Sequence, residues 1–126
     1  MRNKDKNKDF SAYIGKGCKL DGVFNFEGTG RIDGNFVGDV TSKDKLVVGQ
    51  TGNIDGSIVV SELIVFGTIT GKIESEKVTI HKTGKIVGEF KIKNLITESG
   101  AIIDGKISMQ EKTKIIDLKN EKKDVK

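Results

Sequence analysis

The chain has 126 residues, a net charge of +4, 35% apolar and 32% charged residues, sixteen glycines, no proline and one cysteine. That balance fits one soluble domain, and a single thiol excludes an internal disulfide framework. No run approaches the ~18 apolar residues of a membrane span and no apolar leader follows Met1, so residence in the cytoplasm is expected.

The positive charge is not spread over the chain. Residues 1–10 carry four basic and two acidic residues, residues 110–126 carry six and four, and residues 11–109 carry twelve of each. A neutral core is unlike a groove built to track phosphates, so no nucleic-acid partner is expected.

In chain order, residues 1–12 open with the polar, aperiodic Met1–Asp9 and are predicted to form a disordered charged arm. From Tyr13 a repeat begins. Its pattern is small-x-apolar-x-Gly-x-apolar, and copies start at Cys18, Gly34, Gly52, Gly67, Gly84 and Ala101, in steps of 15 to 18 residues. A second apolar phase runs in parallel through Leu46-Val47-Val48, Leu63-Ile64-Val65, Val78-Thr79-Ile80 and Leu95-Ile96-Thr97. A fixed period of short strands is the signature of a solenoid.

Aligning the copies sorts residues by column. Leu20, Phe36, Ile54, Ile69, Ile86 and Ile103 form one wholly apolar column, and Phe24, Val40, Ile58, Ile73, Phe90 and Ile107 another. The leading column is Cys18, Gly34, Gly52, Gly67, Gly84 and Ala101, where small residues suit a bend of the chain. Outward positions are polar: Asp21, Asp55 and Asp104 share a column without ever being neighbours, and Lys72, Glu89 and Lys106 alternate in sign. The predicted fold is all-β, a single-stranded parallel β-helix of about six turns. With rungs ~4.8 Å apart, its length is about 30 Å. The domain is expected to span residues 13–109, because the next apolar positions of the pattern fall on Lys112 and Lys114. Residues 110–126 are then a charged tail, with Ile115, Ile116 and Leu118 available to fold back over the last rung.

Candidate sites are few. His81 is the lone histidine, Cys18 fits its column by size, and Asp21, Asp33, Asp55 and Asp104 each precede a glycine as turn residues do. Gly28-Thr29-Gly30-Arg31-Ile32-Asp33-Gly34 has the spacing GxGxxxG and no helix after it, unlike a dinucleotide loop. The sequence therefore predicts no catalytic group, no cofactor and no metal site. Two surfaces stand out instead. The terminal turns of a β-helix leave strand edges unpaired, which places Leu20, Phe24 and Phe26 at one end and Ile103, Ile107 and Met109 at the other as polymerisation contacts. Val47, Ile64, Thr79 and Ile96, with Phe66 beside them, form an outward apolar column suited to a lateral contact.

The stretches Tyr13-Ile14-Gly15-Lys16-Gly17, Phe26-Glu27-Gly28 with Arg31-Ile32-Asp33-Gly34, and Leu46-Val47-Val48-Gly49 followed by Gly52 resemble the bactofilins, a bacterial cytoskeletal family. The resemblance implies a right-handed, triangular β-helix that polymerises end to end, without nucleotide, into non-polar filaments. It also implies a scaffold for cell-envelope (peptidoglycan) enzymes or membrane proteins and an influence on cell shape, often at the inner face of the cytoplasmic membrane. Similar proteins often carry an apolar N-terminal membrane peptide, whereas Arg2-Asn3-Lys4 follows Met1 here, leaving only weak attraction of a lysine-rich arm to anionic lipid. Two alternatives accompany this reading. One is a trimeric acyltransferase with a hexapeptide-type left-handed β-helix, which needs turns of 18 residues and a base such as His81. The other is a monomeric β-helical adaptor with capped ends.

Overall fold

The computed structural model describes residues 11–117, with side chains described as far as Ile107. The predicted arm up to Phe10 and the tail from Leu118 lie outside the described residues. Every element among those described is a strand: β1 (Ala12–Ile14), β2 (Lys19–Asn25), β3 (Thr29–Ile32), β4 (Asn35–Thr41), β5 (Lys45–Val48), β6 (Asn53–Val65), β7 (Thr68–Ile80), β8 (Lys85–Thr97) and β9 (Ile102–Asp117).

All pairings are parallel, and each strand pairs with the strand one turn later, which makes the molecule a parallel β-solenoid of about six turns. The register reproduces the sequence columns residue for residue. Leu20 lies opposite Phe36, Phe36 opposite Ile54, Ile54 opposite Ile69, Ile69 opposite Ile86, and Ile86 opposite Ile103. The second phase supplies another wall, with Leu46, Leu63, Val78 and Leu95 in register. These columns converge on one core of isoleucine, leucine and valine, in which Ile54, Ile58, Leu63, Ile69 and Ile86 are fully buried. β-Branched side chains suit this arrangement because their stiff χ1 fits a pleated wall and neighbouring rungs cover each other's methyl groups.

The leading glycines Gly34, Gly52, Gly67 and Gly84 lie in the turns between successive strands, as the sequence columns lead one to expect, and a second column of glycines lies inside the strands. Gly22, Gly38, Gly56, Gly71, Gly88 and Gly105 stand in register with φ from +131° to +149°, a region closed to L side chains. Each sits inside a strand, between two inward positions of the repeat such as Ile54 and Ile58. At the leading positions Gly34, Gly52, Gly67 and Gly84 smallness is needed for closeness, since a Cβ there would lie 2.3 to 2.6 Å from a backbone carbonyl of the previous turn.

The boundaries differ from the count. Ala12 already pairs with Gly30, one residue before the expected start. At the other end the coil does not stop near Met109: β9 continues to Asp117, and Asn94–Thr97 pair with Lys114–Asp117. Lys93 of β8 faces residues 110–113 of β9, an irregularity that shifts the phase of the pattern and brings Ile115 and Ile116 opposite Leu95 and Ile96. A fixed step of 17 had placed lysines there.

Candidate assembly surfaces

Among the described residues the core is closed along its length, and no further turn is stacked on its first or last turn. In the first apolar column Leu20 is 49% exposed, whereas Phe36, one turn inward, is 3% exposed and Ile54 is fully buried. At the opposite end Ile103 and Ile107 are half-buried against the core, while their inward neighbours Ile86 and Phe90 are buried. The same side chains that the interior hides are therefore offered to solvent on the first and last of these turns.

The two ends differ in chemistry. At the N-terminal end Phe24 stands between Phe26 and Phe36, with ring centroids 5.2 and 5.9 Å away. Phe26 turns inward: a Cβ on Gly30 would lie 2.6 Å from its ring, so the ring occupies the place that Leu46 and Leu63 take in later turns. Phe24 and Phe26 thus pack together against this end of the core, and Leu20 is exposed on the same turn. Val23, 72% exposed on the same turn, heads an outward column that is polar further along the coil. At the C-terminal end Ile103 and Ile107 each pack against the core, and Ile102 is 50% exposed. Met109 stands opposite Ile92 in the backbone register, and its side chain lies outside the description.

Along the flank, Val47, Ile64, Thr79 and Ile96 form one outward column in register. Val47 is buried, and the other three are half-buried. Phe66 lies next to this column and stacks on His81, with centroids 4.3 Å apart and ring planes 2° from parallel. His81 Nδ1–H donates to Glu98 Oε1 at 3.2 Å, and the Lys82 backbone N–H donates to the same oxygen at 2.9 Å. A second polar cluster lies further towards the N-terminus, where Asp33 accepts from the Tyr13 hydroxyl at 2.9 Å and from Arg31 Nε at 3.0 Å. The Tyr13 phenol is held above its usual pKa, first by this hydrogen bond to Asp33 and then by the carboxylate's charge. Sequence separation hides the Tyr13–Asp33 and His81–Glu98 contacts, since those residues, 20 and 17 apart, meet only once the coil has closed.

His81 therefore has a structural occupation, packed on Phe66 and tied to Glu98. Among the described residues no group of three or more His, Cys, Asp or Glu could hold a metal ion, and no helix is long and apolar enough to cross a membrane. Cys18 is a free, exposed thiol on the first turn.

The Glu98 carboxyl is held below its usual pKa, chiefly by the Lys82 N–H and further by His81. A depressed pKa means that ionised Glu98 stabilises the turn above the unfolded value, a contribution lost as pH falls through the folded one. Glu98→Gln is accordingly expected to lower the melting temperature slightly near neutral pH and to make no difference in strong acid. Equal melting temperatures at both pH values would show that the turn does not depend on this carboxylate.

Among the described residues this is a parallel β-solenoid with unpaired strand edges on its first and last turns, and such an edge is a template for another chain. Residues 12–108 match the family described as Bactofilin, polymer-forming cytoskeletal, and the chain belongs to the bactofilin family. It is similar to bactofilin BacO of Myxococcus xanthus (strain DK1622), 27% identical over 100 residues that make up 79% of each chain. It also resembles bactofilin BacP of the same organism, 28% identical over 79 residues, which are 62% of this chain and 33% of that one. Its structure superposes on a cryo-EM reconstruction of Thermus thermophilus bactofilin double helical filaments with a TM-score of 0.75 and 29% identity, covering 79% of this chain and 99% of that one. The protein is thus a polymer-forming cytoskeletal protein of a structural family, and the acyltransferase alternative gains no support from these likenesses.

Proposed function

We propose that copies of this protein join through their terminal turns, without nucleotide, into non-polar filaments that act as a scaffold for the cell-envelope and cell-shape machinery. The carrying observation is the contrast between Leu20, 49% exposed on the first turn, and its buried equivalents inside the coil. Apolar surface of this kind is worth roughly 25 cal/mol per Å² when a second copy removes it from water. The polymerisation contacts of this reading are Leu20, Phe24 and Phe26 at one end and Ile103, Ile107 and Met109 at the other. A neutral domain helps, because stacked copies then repel one another only weakly.

The related Thermus thermophilus filaments are double helical, and two strands need a contact along their flanks. In this chain that contact is assigned to Val47, Ile64, Phe66, Thr79 and Ile96. The filaments would lie in the cytoplasm, at the inner face of the membrane, and hold peptidoglycan enzymes or membrane proteins in place.

Negative-stain electron microscopy of the purified full chain, in moderate salt with no nucleotide or metal, tests the reading. Long paired filaments are expected, and Ile64→Glu should leave single ones. Uniform small particles from the unmodified chain would mean capped ends, as in a monomeric adaptor, and a trimer would point back to the acyltransferase.

A further inference from the structure

We propose that residues 1–10 fold back onto the flank of the coil, into a groove where the basic side chains of this arm meet Glu27, Asp44, Glu74 and Glu76 across the exposed Val59. The contact lies along the side of the coil and does not depend on how the terminal turns are used.

The groove crosses four successive turns. Its first part, about 640 Å³, is lined by Asn25, Phe26, Glu27, Thr41, Lys43 and Asp44, and a second part of about 330 Å³ adds Glu74, Glu76 and Lys93. Val59 lines both parts. Asn25, Thr41, Val59 and Glu74 stand in register along the floor, where Val59, 44% exposed, is the one apolar side chain of the four. Among the described residues Glu27, Glu74 and Glu76 are exposed and take part in no ion pair. The Asp44 carboxylate accepts the Gly28 N–H at 2.8 Å and so belongs to the mouth of the groove.

The arm departs at that mouth. Ser11 N–H donates to the Thr29 carbonyl at 2.6 Å, and the Ser11 side chain takes the space that a side chain on Gly28 would need, directly after Glu27. Carrying the pairing of Ala12 with Gly30 backwards would set Lys8 over Phe26 and Lys6 over Phe24, so a further turn would bury charge against the apolar core. The flank suits this composition far better. Residues 1–10 carry Arg2, Lys4, Lys6 and Lys8 against Asp5 and Asp9, a net +2, and the groove carries four carboxylates against Lys43 and Lys93, a net −2. The three rungs from Asn25 to Glu74 cover about 14 Å, well within the ~33 Å that ten extended residues span. A lysine stem can lie over Val59 while its ammonium reaches Glu74 or Glu76. Each exposed ion pair is weak, but a short tether holds the arm at an effective concentration on the order of millimolar, which is enough to keep a weak contact occupied. Held in this way, the basic side chains are withdrawn from anionic surfaces, and salt that screens the pairs releases them.

The test uses the full chain in low salt, treated with a zero-length carbodiimide that joins a lysine to a carboxylate in contact with it, followed by peptide mass spectrometry. Links from Lys4, Lys6 or Lys8 to Glu74 or Glu76 are expected. Mixing isotope-labelled with unlabelled protein beforehand should show that they form within one copy. Trypsin gives a second readout, because cutting tracks the fraction of time a segment is released. Glu74→Gln combined with Glu76→Gln changes two exposed side chains, and its arm is expected to be cut at least about threefold faster than that of the unmodified chain, as for an arm held about two-thirds of the time. In about 1 M salt the two rates should converge. Links between labelled and unlabelled copies would give the groove to a neighbour's arm, and links from Lys119, Lys122 or Lys123 would give it to the C-terminal tail. Either result overturns the proposal, as do equal cutting rates in low salt.

Discussion

Alanine in place of Gly71 is expected to abolish cooperative folding, whereas alanine at Gly22 leaves a folded coil. Both glycines sit at the same position of the repeat, with φ +132° and +131°. Each substitution therefore carries the backbone strain of an L residue in that region, about 1–3 kcal/mol. They differ in what the new methyl group meets. At Gly71 it would lie 1.9 Å from the Gly56 carbonyl oxygen, whereas at Gly22 nothing stands within 4 Å. The obstruction at Gly71 is backbone held on both sides by register with Gly56 and Gly88, so no side chain can move aside. Relief requires separating rungs, which breaks ladder hydrogen bonds and uncovers Ile69 and Ile73. Losses beyond about 4–5 kcal/mol are reserved for such cases and approach the whole stability of a small domain. Circular dichroism during heating measures the contrast. If the two variants melt within a few degrees of each other, the close stacking of the glycine column is not what holds the turns in register.

That column also marks the limit of what the sequence reveals. The columns of inward residues were legible because a coil of strands repeats both hydrophobicity and length, and the residues from Leu20 to Ile103 fall in register as counted. Leading and inner glycines look alike in a sequence, yet the inner ones carry the positive φ and most of the leading ones only the close approach. Counting also failed where the period changed. Residues 110–113 shift the phase after Met109, so Ile115 and Ile116 seemed to lie beyond the coil. The end surfaces could be located as ends, but Phe26 filling the space above Gly30 depends on how a ring folds back across a turn. Contacts between different columns, such as Phe66 with His81 and Tyr13 with Asp33, likewise depend on turn shape and leave no periodic trace.

The assembly surfaces themselves are open to a substitution that separates folding from growth. Phe24→Arg and Ile107→Lys are expected to remain folded and to stop elongation at the altered end. The fold survives because both positions are half-buried on a terminal turn, where a long aliphatic stem can follow the apolar wall and carry its charge to water. Ile58, fully buried in the same column, has no such outlet, and Ile58→Lys should unfold the protein and serves as the control. Growth stops because a copy arriving at the altered end would bury an unpaired charge, at a cost of several kcal/mol per contact. At about 1.4 kcal/mol per tenfold, that weakens association by at least a hundredfold. The size of the arrested species carries further information. If like ends join, each single variant keeps one working contact and stops as a dimer, while the double variant is a monomer. If unlike ends join, either single variant alone is already a monomer. Analytical ultracentrifugation separates these outcomes, and filaments of normal length from the double variant would show that assembly does not run through the terminal turns.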